Sequence, residues 1–155
     1  VIRPITIHDL NQLMEIEDEC FTEEGGDGWD LESYVEWLSH RTTGGFVYET
    51  SPNQIAAAIL FDAQPIGRSL EVASIGVRKN WRKHGVGSAM LRAVLGEAAI
   101  REMRKVWLIV ASDNVAACKL YATHGFKGAE HLPDYYKANR HGLRMEREME
   151  RGRDR

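Results

Sequence analysis

The run from Ser69 to residue 110 constrains the fold more than any other part of this sequence. Residues 69–77 read as a strand, a glycine-containing loop follows, and a long helix carries Val86, Met90, Ala93 and Val94 on one face. Residues 106–110 are then a continuous apolar strand. A helix set between two apolar strands is a crossover connection, and a crossover must bury its apolar face against a sheet. The chain is therefore a mixed α/β domain. Its 155 residues, 43% hydrophobic and 28% charged with four prolines, suit one globular domain over 1–150 and exclude a disordered or low-complexity scaffold. A charged, frayed tail is expected at 151–155.

The flanking segments complete the pattern. Residues 2–7 alternate weakly as a short strand, and Asp9 stands where it can cap a helix bearing Leu10, Leu13, Met14 and Phe21. Gly25, Gly26 and Gly28 break that helix, and Asp30 caps a second one with Leu31, Tyr34, Val35 and Leu38 along one face. Residues 46–49 and 54–61 form a hairpin around Ser51-Pro52-Asn53. Downstream, Asp113-Asn114 opens a helix that carries Leu120 and Tyr121 and stops at Gly125. Residues 126–130 and 143–149 are the last strands, the second with Leu143, Met145 and Met149 opposite Arg144, Glu146 and Glu148.

Charge is unevenly spread. From Asp9 to His40 there are eleven acids and no Lys or Arg, whereas the stretch from Arg78 to Lys105 is strongly basic. This asymmetry suits a protein that joins an anionic cosubstrate to a cationic acceptor, although solvated helix faces produce the same runs. A net charge of −3 argues against a general nucleic-acid binder. No apolar run reaches the ~18 residues of a membrane span, and Val1-Ile2-Arg3-Pro4 has no signal-peptide pattern, so a cytoplasmic location is expected. Cys20 and Cys118 form no disulfide framework and no CxxC pair, and the six histidines lack metal-binding spacing, so no metal is expected.

The loop Arg82-Lys83-His84-Gly85-Val86-Gly87-Ser88 carries the chemistry. It leads a strand into a helix N-terminus, where backbone N–H groups and the helix dipole favour phosphate. Glycines at 85 and 87 would let the backbone approach an anion, although isolated glycines also serve plain tight turns. A Walker loop is excluded because no Gly-Lys-Ser/Thr follows, and a dinucleotide fingerprint because its third glycine would be Met90.

Arg82-x-x-Gly85-x-Gly87 resembles the acetyl-CoA loop of the GNAT superfamily of N-acetyltransferases. Asn114-x-x-Ala117-x-x-Leu120-Tyr121-x-x-x-Gly125-Phe126 is similar to that family's second motif. Asp134-Tyr135-Tyr136, with Met145 nine residues on, resembles the paired tyrosines of protein N-terminal acetyltransferases, including those acting on ribosomal proteins. The resemblance implies a mostly antiparallel twisted sheet of six to seven strands flanked by about four helices. It further implies that Ile75, Gly76, Val77 and Asn114 meet the pantetheine arm of acetyl-CoA, and that the loop from Arg82 to Ser88 cradles the pyrophosphate.

The same resemblance places Glu71, fourteen residues before the first loop glycine, as general base, and Tyr121 as the acid beside the leaving sulfur. Asn114, Cys118 and Tyr121 share a helix face at i, i+4 and i+7. Related N-terminal acetyltransferases carry a Glu or His where this chain has Ile109, which leaves Glu71 as the base. His131 beside the tyrosines is a lesser candidate, and a Cys118 nucleophile lacks any partner to lower its pKa. Phe21, Trp29, Tyr135 and Tyr136 are the expected acceptor-side residues. The expected partners are acetyl-CoA and an amine, either a peptide N-terminus or a cationic amine drawn to the acids of residues 23–30, with neither nucleic acid nor membrane. A homodimer and a non-catalytic acyl-CoA-binding module stay open.

Overall fold

A computed structural model describes residues 1–21 and 29–150. The helix break at Gly25, Gly26 and Gly28, most of the acidic stretch 23–30 and the tail 151–155 lie outside the described residues. The chain runs β1 (Ile2–Pro4), α1 (Leu10–Phe21), α2 (Leu31–Leu38), β2 (Thr43–Ser51), β3 (Gln54–Gln64) and β4 (Ser69–Val77). It continues through α3 (Val86–Ile100), β5 (Lys105–Ala111), α4 (Val115–Thr123), β6 (Lys127–Lys137) and β7 (Arg140–Glu148). Seven strands form one sheet in the order β1-β2-β3-β4-β5-β7-β6. Every neighbouring pair is antiparallel except β4 with β5, the pair joined by the α3 crossover. This is the mixed, mostly antiparallel architecture with flanking helices that the resemblance implied.

Both faces of the sheet are covered. On one, Ile59, Phe61, Leu70, Val72, Val106, Leu108 and Met145 pack against Met90, Leu91 and Val94 of α3 and Tyr121 of α4. On the other, Val47, Ala58 and Leu60 pack against Leu13 and Ile16 of α1 and Tyr34 of α2. β3 lies between the two cores, so its residues 55–61 form a continuous buried run where a half-exposed strand would alternate. Among the described residues no helix is long and apolar enough to cross a membrane.

Local chemistry corrects three expectations. Thr6 caps the turn before α1 through the His8 N–H, and Asp9 supplies the reciprocal half of the capping box by accepting from the Thr6 N–H at 2.8 Å. Asp9 is itself buried and pinned by both Arg3 nitrogens at 2.8 and 2.9 Å, which holds its carboxyl below the usual range. Asp30 caps α2 as expected, accepting from the Ser33 N–H at 2.8 Å, but of the expected apolar row only Tyr34 is fully buried; Leu31 and Val35 are about half exposed. β6 runs on to Lys137 because bulges after Gly128 and Leu132 absorb its mismatch with β7, so Tyr135 and Tyr136 stand on a strand.

Candidate functional site

The site begins where two strands part. β4 and β5 pair over only three rows, Ser69 with Lys105, Leu70 with Val106 and Glu71 with Trp107. Beyond them β4 stays with β3 as far as Val77, and β5 stays with β7 as far as Ala111. A bulge at Ala73, between the pairs Leu60–Ser74 and Phe61–Val72, turns β4 at the point of separation. The result is a wedge with Ile75, Gly76 and Val77 on one wall and Ile109 to Ala111 on the other. The inner edges carry backbone groups that the sheet does not pair, which is what an extended amide-bearing ligand needs. Gly76 is closely packed from behind, where a Cβ would lie 3.0 Å from Ile16 and 3.4 Å from Cys20 and Phe21.

At the open end of the wedge the loop 78–85 feeds α3. Lys83 and Gly85 both adopt left-handed backbone, at φ +64° and +79°, and no side chain among the described residues caps the helix. The helical ladder starts with the Ala89 N–H on the Gly85 carbonyl, leaving the N–H groups of Val86, Gly87 and Ser88 for an external acceptor. Gly87 also lies close to α4: a Cβ there would lie 3.2 Å from the Leu120 side chain.

Part of the loop's basic charge is engaged within the chain. Arg78 pairs with Glu15 at 2.8 Å and with Glu19 at 3.9 Å, and the Lys79 N–H bonds to Glu19 at 2.6 Å. Arg82 donates to the Val77 carbonyl at 2.9 Å and lies 3.6 Å from the Cys20 sulfur. The acidic face of α1 and the basic loop are thus partly each other's counterions, a third reading of that asymmetry alongside solvated faces and ligand fields.

α4 forms the roof. Asn114 caps it by accepting from the Ala117 N–H at 3.1 Å, and Gly125 at φ +85° ends it. Tyr121 is only 6% exposed and lies edge-on to Phe126, 6.0 Å between ring centroids. Burial above all, then the neighbouring Tyr136 and Cys118, pushes its phenol well above the usual value, so the hydroxyl keeps its proton. Burial raises the Cys118 thiol as well, which disfavours the thiolate a nucleophile would need.

Glu71 stands in the last paired row of the wedge, half-buried, across from Asp62 on β3 and Trp107 on β5. Its carboxyl is raised by burial first and by Asp62 second, while Arg144 of β7 opposes both. The Arg144 guanidinium lies 4.2 Å from the centre of the Trp107 ring and bonds to Glu146 at 3.1 Å; Glu146 in turn pairs with Lys105 at 3.3 Å. No hydrogen bond or ring contact among the described residues joins Glu71 to Tyr121, and the two sit on opposite faces of the sheet.

The acceptor-side candidates form two groups. Tyr135 and Tyr136 meet edge to face at 5.0 Å, with Arg140 stacked 5.5 Å from Tyr136 and 3.7 Å from Asp113. Their hairpin is fixed by Asp134, which takes the Asn139 N–H at 2.8 Å and gives its own N–H to His141 Nδ1 at 2.9 Å. His131 contacts His141, 5.3 Å between rings. Across the fold, Phe21 packs at Gly76, while Trp29 stacks on Tyr34 and Trp37 at 5.4 and 4.7 Å. The base of that second group is Glu17, 3% exposed, which accepts from the Tyr34 hydroxyl at 2.5 Å and the Trp29 N–H at 3.2 Å. Burial raises its carboxyl against both bonds. Sequence reading did not single out Glu17, Asp62 or Arg144, because each acts through a partner on a different element. Among the described residues no group of three or more His, Cys, Asp or Glu is placed to hold a metal ion.

Comparison with known proteins agrees with this geometry. The acetyltransferase (GNAT) family model matches residues 10–126. N-alpha-acetyltransferase 60 of Danio rerio is 27% identical over 151 residues, covering 87% of this chain and 62% of the relative, so the chain spans less than two thirds of that protein's length. The crystal structure of the ribosomal-protein-S18-alanine N-acetyltransferase of Escherichia coli superposes with a TM-score of 0.83 at 21% identity, covering 99% of this chain and 97% of that one. A mutant spermidine N-acetyltransferase of Vibrio cholerae gives 0.82 at 19% identity, covering 96% and 94%.

Proposed function

The chain belongs to the GNAT family of acetyltransferases, and on that premise we propose that it moves an acetyl group from acetyl-CoA to the α-amine of a peptide or protein N-terminus by direct attack in a ternary complex. The observation that carries the reading is the three-row pairing of β4 with β5 beside an uncapped α3. Ile75, Gly76 and Val77 with Asn114 would hold the pantetheine arm, and the segment from Arg82 to Ser88, through the first-turn N–H groups of α3, would hold the pyrophosphate. Acetyl-CoA supplies the activated acetyl group when bound.

The protein's own part is proton management. An α-amine with a reference pKa of about 8 is mostly protonated near neutrality, and a Lys amine at about 10.4 far more so. Glu71, half-buried and raised in pKa, accepts that proton directly or through water. Tyr121, kept protonated by burial, delivers a proton to the departing sulfur. The α-amine acceptor is supported by the names of the Danio rerio and Escherichia coli proteins and by the tyrosine pair on β6. Phe21 and Trp29 would line the other side of the acceptor.

The test is free-CoA release with mass detection of product, against free-N-terminal peptides, N-blocked Lys peptides and polyamines. Transfer to free N-termini is expected. Transfer confined to blocked Lys peptides or polyamines would overturn the acceptor, and tight acetyl-CoA binding without any transfer would make the chain a binding module. Glu71→Gln and Tyr121→Phe should each lower kcat on the order of 100-fold; unchanged turnover would contradict their roles.

A further inference from the structure

Glu71 sits between opposed charges from two strands. Asp62 comes from β3, directly opposite in register, and Arg144 comes from β7, reaching over Trp107 of β5. Glu146 and Lys105 stand behind Arg144, while α3 lies on the opposite face of the sheet. α1 packs at the far end of β4, and its buried acid Glu17 is engaged by Tyr34 and Trp29. Arg144 is therefore held on two sides, by ring stacking below and a carboxylate beside it, in a row adjacent to Glu71. A flat guanidinium suits that place, since it stacks on an indole and bonds in its own plane, which a Lys ammonium does not do.

We infer that Arg144 is a positioning residue for the base, holding Glu71 in its ionised, proton-accepting form at the closed end of the wedge, with Asp62 as the opposing influence; this rests on the reading of Glu71 as base. The logic is electrostatic. A base must be ionised before it can accept a proton, and burial with a neighbouring carboxylate works against that state. A fixed cation restores it without touching the acceptor. Because Glu146 keeps Lys105 as a partner when Arg144 is changed, the substitution does not strand a buried carboxylate.

Two neighbours of opposite sign give the test its direction. In pH profiles of kcat/KM, Arg144→Gln should move the acid limb to higher pH, so that activity lost at low pH returns as pH rises, and Asp62→Asn should move it to lower pH. Arg144→Lys, which keeps the charge, should bring the limb back toward its wild-type place. The same displacements should appear in a ¹³C NMR titration of the Glu71 carboxyl in each variant, a measurement that needs no turnover. A loss of activity uniform across pH, with the Glu71 titration unmoved in Arg144→Gln, would overturn the inference by reducing Arg144 to a packing role. Glu71→Gln separates the two readings: it should remove the limb that follows Glu71 and leave only the limb set by the acceptor amine, near its own pKa of about 8. An acid limb that stays at its wild-type position in Glu71→Gln would instead remove the base itself, and the role of Arg144 with it.

Discussion

Helices α3 and α4 occupy matched positions and begin in opposite ways. Each follows one of the two strands that part to form the wedge, α3 after β4 and α4 after β5. α4 uses the side chain of Asn114 to satisfy one of its own first-turn N–H groups. α3 begins at a left-handed glycine with no side-chain cap, so its first-turn donors face outward. A helix that caps itself is a structural support. One that leaves its donors open after a strand, with the dipole aligned behind them, is a receptor for an anion. The difference lies in one residue at each helix start, and the proposed function builds on it by giving the phosphate end of the ligand to α3 and the role of proton donor to Tyr121 of α4.

The largest break in that contrast comes from placing a carboxylate at the start of α3. Gly85→Asp puts a negative charge where the phosphates would lie, and we expect acetyl-CoA affinity to fall about tenfold or more, with a stability cost of only about 1 kcal/mol for a side chain at positive φ. Direct binding and thermal melts separate the two effects, and unchanged affinity would mean the α3 terminus holds no phosphate. Asn114→Ala attacks the other side of the comparison. Losing the α4 cap should cost about 1 kcal/mol, or about 3 °C in Tm, and a rise in acetyl-CoA KM should accompany it if the free amide of Asn114 also meets the ligand. A fall in Tm with KM unmoved would leave Asn114 as a cap alone.

The smallest effect concerns Asp30, which caps α2 in the same self-satisfied manner. Its bonds from Ser33 hold the carboxyl below the usual value, so its contribution to stability is present above the unfolded pKa and fades as pH falls below about 4. Asp30→Asn should flatten that part of an acid-denaturation curve, and an unchanged slope would show the cap to be electrostatically silent.

The order of elements was legible because it is written in local patterns: the apolar strand 106–110, the helical spacing of Val86, Met90 and Val94, the caps at Asp30 and Asn114, and the stop at Gly125. Where competing local bonds decide a boundary, the pattern misled. Thr6 took the cap assigned to Asp9 because Asp9 is held by Arg3 of β1, a residue six positions away that meets it only after folding. The closeness of Gly87 to Leu120 of α4 is likewise a contact between elements that no local pattern shows.

The candidate site can be read from sequence only where its residues fall in linear motifs. The loop 82–88, Asn114 and Tyr121 are linear motifs. Glu71 is a candidate through the family resemblance, and its surroundings are products of strand order. β7 inserts between β5 and β6, and only that arrangement brings Arg144 over Trp107 beside the row of Glu71. No periodicity in one sequence reveals which strand lies next to which.

The central claim is that the open α3 terminus binds the pyrophosphate of acetyl-CoA while the wedge holds its arm. Calorimetric titration of the wild-type protein with acetyl-CoA and with acetyl-pantetheine, which keeps the arm and thioester but lacks the pyrophosphate and nucleoside, tests it most directly. The account predicts far tighter binding of acetyl-CoA, with the advantage shrinking as salt is added; equal affinity for the two would contradict it.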